Sequence, residues 1–335
     1  MKEARLYKTL EQGKVRCLTC AHRCVIGNGK RGVCGVRENR DGKLYTLVFG
    51  KLIAMNVDPI EKKPLFHFYP GTRSFSIATV GCNMHCLHCQ NSNISQMPKE
   101  RGQIEGSDFL PEDVVKSALK NGCKTIAYTY TEPTVYWDFA FECSRLAHEH
   151  NIKNIFVTNG YLSKESLNEI APFLDGANVD LKSFKDKTYR TVCGARLKPV
   201  LNTIQNMKRL GIWIEVTTLL IPDLNDSDEE LNDIAVFLRD LDPGIPWHIT
   251  RFYPTYRMTD RRPTDVEALR KAREIGFNAG IRYVYTGNVP GEDGEATFCH
   301  SCGARLIHRW GFDLMGNRIT EGRCPECGAE IDGVW

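Results

Sequence analysis

The sequence predicts an α/β fold, a partial (β/α)6 to (β/α)8 barrel flanked by two cysteine-rich segments. Three observations carry this. Strand-like runs recur near 75–80, 124–130, 154–158, 177–181, 212–219, 247–252 and 281–286. Helix-like segments fall between them near 111–121, 134–150, 163–173, 198–210, 227–240 and 264–279. Strands alternating with helices imply βα units and a parallel sheet. The cysteines cluster before, within and after this region, which divides the chain into 1–70, 71–290 and 291–335.

Composition sets the bounds. The chain has 335 residues, 42% of them apolar, enough for a sizeable core. A net charge of +3 with 25% charged residues gives no polyanion-binding signal in bulk. No run of 18 apolar residues occurs, and Met1-Lys2-Glu3-Ala4-Arg5 leads into no apolar h-region, so the expectation is a cytoplasmic chain. Of 14 cysteines, eleven sit in three local groups, at 17–34, 82–89 and 299–327. Such spacing without a secretion signal reads as metal binding rather than disulfides. Cys123 and Cys143 lie in or beside helix-like stretches and read as buried small apolar residues. Cys193 precedes a glycine and carries no reading.

The first group is Cys17, Cys20, Cys24 and, after nine intervening residues, Cys34. Glycines at 27, 29, 32 and 35 supply tight turns. The reading is a four-cysteine zinc site with His22 as a substitute ligand; an accessory Fe–S cluster is the rival, because thiolates serve both ions. Short β-like runs, Leu44–Phe49 and Lys51–Met55, follow, then an ordered loop from Asp58 to Leu65. In the alternating region, Asp108 to Pro111 reads as a helix start with acidic residues at 112 and 113. Near the C-terminus, Cys299-x2-Cys302-Gly303 and Cys324-x2-Cys327-Gly328 form two knuckles with 21 residues between them. That pattern predicts a zinc ribbon, with a rubredoxin-like iron site as the rival.

Chemistry is expected where the first strand ends. Gly81 breaks the run Ser76–Val80, and Cys82, Cys86 and Cys89 follow at C-x3-C-x2-C spacing in Gly81-Cys82-Asn83-Met84-His85-Cys86-Leu87-His88-Cys89-Gln90-Asn91. Three thiolates on one loop can hold three irons of a [4Fe–4S] cluster and leave one iron open. A structural zinc loop using His85 or His88 is the plainer reading, but structural zinc favours the paired knuckles found elsewhere in this chain.

This spacing resembles the signature of the radical S-adenosylmethionine (radical SAM) enzymes. The resemblance implies that the open iron takes SAM, and that an electron from the reduced cluster breaks the sulfonium to give a 5′-deoxyadenosyl radical that abstracts hydrogen. The strand ends fit. Tyr128-Thr129-Tyr130-Thr131-Glu132-Pro133 stands where the family often has Gly-Gly-Glu, so Glu132 carries over as acceptor for the SAM ammonium with Thr131 as neighbour. The competing reading makes Glu132 a helix N-cap. Thr158-Asn159-Gly160 and Asp180-Leu181-Lys182 resemble the pyruvate formate-lyase activating enzymes, whose matching segments line the SAM site; Val157 replaces an aspartate there. Asp180 and Lys182 also read as a simple ion pair. His248, in Trp247-His248-Ile249-Thr250-Arg251-Phe252, aligns with a SAM-contacting histidine of that branch or is structural, and Arg251 can meet an anionic group. Ile221 to Asp226 either lines the substrate side or turns the chain.

The N-terminal cysteines, Gly-Cys-Asn-x2-Cys-x2-Cys-Gln-Asn, Tyr-Thr-Tyr-Thr-Glu-Pro-Thr, Trp-His-Ile-Thr-Arg-Phe-Tyr-Pro and the ribbon together are similar to the radical SAM protein of the AmmeMemoRadiSam system. That implies Memo-like and AMMECR-like associates and no assured substrate. Electrons must come from a flavodoxin- or ferredoxin-type donor, as no flavin or dinucleotide motif occurs. A glycyl-radical enzyme activase is one alternative. A non-catalytic metal scaffold is the other, touching phosphates through Arg305, Arg309, Arg318 and Arg323, although interleaved acids favour a solvated surface for them.

Overall fold

The structure, a computed structural model, describes residues 1–289 and 293–335, so the boundary read at 290/291 lies outside the described residues. Its centre is one eight-stranded sheet. Strand β1 (Ala54–Pro59) pairs antiparallel with β2 (Arg73–Ala78) across six residues. From β2 the sheet runs parallel through β3 (Thr125–Tyr128), β4 (Lys153–Thr158), β5 (Gly176–Asp180), β6 (Trp213–Leu220), β7 (Trp247–Arg251) and β8 (Val284–Gly287) in sequence order. All seven strand-like runs of the sequence are therefore strands of one parallel array. Among the described residues β1 and β8 remain its two edges, so the barrel is open and partial.

Parallel strands covered on both faces read as continuous apolar runs. Strand β3 obeys this, with all four residues buried. Six helices make the crossovers: α1 (Pro111–Lys120), α2 (Trp137–Glu149), α3 (Lys164–Ile170), α4 (Leu197–Arg209), α5 (Asp228–Leu241) and α6 (Val266–Asn278). Local chemistry starts them. Ser163 Oγ accepts the Ser166 N–H at 3.0 Å to cap α3. Ser227 caps α5, with Asp228, Glu229 and Glu230 in its first turn against the positive end of the helix. Trp137, Phe139, Phe156 and Trp247 are fully buried in the core between helices and sheet. Cys123 and Cys143 are buried apolar residues, as read from the sequence.

The N-terminal segment is built of short strands. Tyr7–Thr9, Val15–Cys17 and Val25–Ile26 form one small sheet, and Lys2–Glu3, Lys43–Thr46 and Arg37–Arg40 another. Arg37 fastens it to the barrel through a buried ion pair, its Nη2 2.6 Å from Asp138 on α2. The C-terminal ribbon is a three-stranded sheet of β9 (Thr297–Phe298), β10 (Arg305–Trp310) and β11 (Asp313–Asn317).

The ribbon docks through a buried polar network. Arg309 Nη2 donates to the Phe66 carbonyl at 2.7 Å and Nη1 to Thr297 Oγ1 at 2.9 Å. This corrects the expectation of a solvated Arg309, which is buried. Arg318 is exposed and paired with Glu326. His67 spans the interface, Nδ1 2.6 Å from the Asp332 carbonyl and Nε2 2.6 Å from the Tyr285 hydroxyl. Beside it Glu215 accepts the Phe66 and His67 N–H groups at 2.9 and 2.8 Å and contacts His248 Nε2 at 2.6 Å.

Burial holds the His67 pKa down to about 4, against a pull upward from Glu215. The unfolded chain takes up this proton below its ordinary value of 6.5 while the folded ring stays neutral. Stability present at neutral pH is therefore lost as pH falls from 6.5 toward 4, by roughly 3 kcal/mol for this residue. Thermal unfolding of wild type and His67→Gln across that range checks this. The wild-type curve falls more steeply, and parallel curves would show that His67 does not titrate with unfolding.

Candidate active site

The parallel array sends the carboxyl ends of β2 to β8 to one edge, where open α/β sheets bind ligands. The loop after β2 opens on Gly81, at φ +104°. A Cβ there would stand 2.7 Å from Val36 Cγ1 and 3.3 Å from the Cys34 carbonyl, so only glycine lets the N-terminal segment approach. Main-chain bonds fix the cysteine loop: Gly81 N–H to the Ile94 carbonyl at 3.1 Å, His85 N–H to that of Cys193 and Leu87 N–H to that of Val192, both at 3.0 Å.

Cys82, Cys86 and Cys89 thus converge on the floor of a cavity of about 590 Å³. Burial pushes all three thiols up, with Cys193 beside Cys86 contributing most at that thiol. Metal binding must displace those protons. Two features favour the thiolates. Met84 N–H approaches Cys82 Sγ at 3.4 Å, and Cys89 Sγ lies 3.3 Å from Ser95 Oγ. Lys99, anchored by its Nζ on the Met84 carbonyl at 2.7 Å, brings a half-buried amine to the loop; burial lowers its pKa while the neighbouring Cys82, Cys34, Cys86 and Cys89 raise it. The three sulfurs do not crowd to within 4.8 Å of one another as the ribbon sulfurs do, which leaves room for a cluster rather than one ion.

Thr131, Glu132, Asn159, Asp180 and Lys182 line the same cavity, as does Val157. Glu132 is more heavily bonded than the sequence suggests. Its carboxylate accepts the Thr134 N–H at 3.0 Å and that hydroxyl, Thr158 Oγ1 at 2.9 and 3.0 Å, and the Asn159 N–H at 2.8 Å. It caps the short helix Pro133–Tyr136 and also ties the end of β3 to that of β4, so both sequence readings of the residue meet in one group. Burial raises its pKa against those bonds. Lys182 Nζ sits 2.7 Å from Asp180. Burial alone would lower the lysine, but Asp180, Cys86 and Cys193 raise it well above its ordinary value.

His248 is not brought to this cavity. Its ring is bonded to Glu215 and stacks on Tyr285 at 5.1 Å. Arg251 is likewise engaged, Nε donating to the Thr264 carbonyl at 2.7 Å. The loop after β6 turns the chain: Asn225 accepts the Ile221 N–H at 2.7 Å and donates to the Lys182 carbonyl at 2.8 Å.

Two contributors, Cys193 and Lys63, escaped the sequence reading, and His88 entered it only as a zinc ligand. Cys193 packs against Cys86 at the end of a π-helical turn, Tyr189–Cys193, and no motif marks it. His88 is buried on the cavity wall with Nδ1 unpartnered, and burial lowers its pKa to about 3; its place between two motif cysteines was the available signal. Lys63 enters from the loop before β2, 2.6 Å from Asp58 and over the Tyr130 ring at 4.8 Å, with burial lowering its pKa to about 8.

A second donor set is complete in the ribbon. The sulfurs of Cys299, Cys302, Cys324 and Cys327 lie within 4.8 Å of one another, with 3.7 Å between Cys299 and Cys327 and between Cys302 and Cys324. A tetrahedral ion with metal–sulfur bonds near 2.3 Å puts its sulfurs about 3.8 Å apart, so this set fits one ion.

With this geometry in view, comparisons with known proteins agree. The radical SAM superfamily model matches residues 76–235. An uncharacterized protein of Methanocaldococcus jannaschii is 46% identical over 100% of both chains. The pyruvate formate-lyase-activating enzyme of Streptococcus mutans is 24% identical over 51% of this chain and 68% of its own. The structure of Streptococcus suis SuiB bound to precursor peptide SuiA superposes with a TM-score of 0.52 at 17% identity, covering 68% of this chain and 51% of that one. No described helix is long and apolar enough to cross a membrane.

The Glu132 tie predicts a stability loss. Glu132→Ala strips acceptors from two buried N–H groups and two hydroxyls, at a cost of roughly 3 kcal/mol. Urea unfolding at matched metal content checks it. Glu132→Gln, which keeps one oxygen acceptor, loses less, and an unchanged midpoint in the alanine variant would show that the carboxylate does not join the strand ends.

Proposed function

This chain belongs to the radical SAM superfamily, and we propose that it reductively cleaves S-adenosylmethionine to initiate hydrogen abstraction from a partner protein. The single observation that carries this is the convergence of three thiols from one loop, Cys86 buried and Cys82 and Cys89 half-buried, on a cavity walled by strand-end polar groups. Cys82, Cys86 and Cys89 would hold the [4Fe–4S] cluster. When bound and reduced, that cluster supplies the electron that breaks the SAM sulfonium into methionine and a 5′-deoxyadenosyl radical.

The chain's own groups bind and orient. Glu132 is placed to accept from an ammonium, the Lys182 cation offers itself to a carboxylate, and Asn159 and Asp180 complete the polar wall beside Thr131. Lys99 offsets negative charge gathered at the loop, which favours a reduced centre over an oxidised one. Phe312, at the tip of the ribbon hairpin, reaches the same cavity with exposed Trp310 beside it, which supports a substrate entering past the ribbon. The ribbon cysteines hold zinc in this reading. The electron donor is a flavodoxin or ferredoxin, and Memo-like and AMMECR-like proteins are the expected associates.

A non-catalytic scaffold acting through the ribbon is disfavoured by Arg309, whose burial removes it from any phosphate-facing surface. The test is anaerobic. Protein loaded with iron and sulfide, given dithionite and SAM, yields 5′-deoxyadenosine and methionine by mass spectrometry. Cys86→Ala loses most cluster iron and all cleavage. Cleavage retained in that variant would overturn the assignment.

A further inference from the structure

We propose that Cys17, Cys20, Cys24 and Cys34 hold a second iron–sulfur cluster and not a zinc ion. The four cysteines line one small cavity together with Thr19, His22, Arg37 and Asn83. Two internal standards bracket it. In the ribbon, four thiols stand at single-ion spacing, with sulfurs 3.7 Å apart. Among the described residues that is the one group in which three or more ligand atoms come within 4.8 Å of one another. The N-terminal sulfurs surround a common space, yet no three of them come within 4.8 Å of one another, nor do those of Cys82, Cys86 and Cys89. Four thiolates on a zinc ion must close to about 3.8 Å, because each bond is near 2.3 Å. A cluster with its own irons and sulfides between the ligands keeps them apart.

The lining polar groups point the same way. Arg37 is buried, and while its Nη2 is spent on Asp138, its Nη1 has no hydrogen-bond partner. Asn83 Nδ2 is also buried and unpartnered, although its Oδ1 accepts from Asn159 Nδ2 at 2.8 Å. Leaving such donors unpaired costs about 1–3 kcal/mol each. A zinc ion offers them no acceptor beyond the ligating sulfurs. Bridging sulfides of a cluster are additional acceptors, and N–H bonds to cluster sulfur tune its potential. Arg37 also brings positive charge to a centre that is negative with four thiolates.

Position gives the site its interest. Cys34 lies against Gly81, the residue before Cys82. His22 Nε2 bonds to the Asn83 carbonyl at 2.7 Å. The second centre therefore abuts the loop that holds the first and shares Asn83 with it.

Metal counting on protein isolated anaerobically, before any reconstitution, tests this without reference to SAM cleavage. The variant combining Cys82→Ala, Cys86→Ala and Cys89→Ala should keep about four irons and four sulfides per chain, with visible absorbance bleached by dithionite. Adding Cys20→Ala should remove them and leave zinc constant at about one per chain, held by the ribbon. A triple variant without iron, or one whose zinc falls by about one when Cys20 is replaced, overturns the proposal. Because the triple variant can fail to fold, Mössbauer spectra of the wild-type chain give a second reading. Two cluster populations, one of them unmoved by SAM, support the site, and a single population that responds entirely to SAM overturns it.

Discussion

Seven parallel strands end at one edge of the sheet, and the chemistry of the chain depends on that constraint. Parallel pairing requires every crossover to return to the opposite edge, so each strand releases its last residues into the same space. There the apolar runs stop. Thr131 and Glu132 follow β3, Asn159 follows β4, and Asp180 closes β5 with Lys182 just beyond. Polar residues at these positions have the cavity to face. The same residues two positions earlier would lie within the buried array. The loop after β2 inherits this geometry, which delivers three thiols to the cavity floor.

Holding that edge together needs groups the sheet cannot supply. Backbone ladders end with the strands, and the donors beyond them must find partners elsewhere. Glu132 serves the Thr134 and Asn159 N–H groups, and Thr131 Oγ1 reaches the Thr79 carbonyl at 2.8 Å, joining the ends of β2, β3 and β4. Charges here come with counter-charges: the half-buried Lys182 with Asp180, and the buried Arg37 with Asp138 and Lys63 with Asp58. A buried pair adds little net stability over an apolar one, but losing either member leaves the other stranded. The network therefore fixes geometry more than it adds stability.

Much of this was legible in the residues. Short apolar runs mark the strands of the barrel, because both of their faces are covered, and the longer segments between them mark its helices. The cysteine spacings mark three local groups, because residues that meet on a tight loop must be close in sequence, and the ribbon set does bring its four sulfurs within 4.8 Å of one another. What stayed hidden is long-range. Cys193 reaches Cys86 only after α4's approach is folded, and the pairing of β1 with β2 makes part of the N-terminal segment an edge of the barrel sheet. The sequence offered His248 as a ligand contact, yet Glu215, 33 residues earlier on the neighbouring strand β6, holds its ring. A side chain's direction is settled by such partners, which no local pattern contains.

The three cysteine groups show how one residue type takes different spacings. In the ribbon each knuckle ends in a glycine with positive φ, Gly303 and Gly328, which folds the backbone tightly round and draws four sulfurs to one-ion spacing. At Cys82–Cys89 the longer C-x3-C step and the anchors on Cys193 and Val192 spread the loop instead. The N-terminal group has both kinds of step, Cys17-x2-Cys20-x3-Cys24, and its fourth member arrives from a separate turn pressed against Gly81. Ligand spacing in sequence sets which residues can meet. The packing behind the loop sets how far apart their sulfurs stop, and that distance selects between an ion and a cluster.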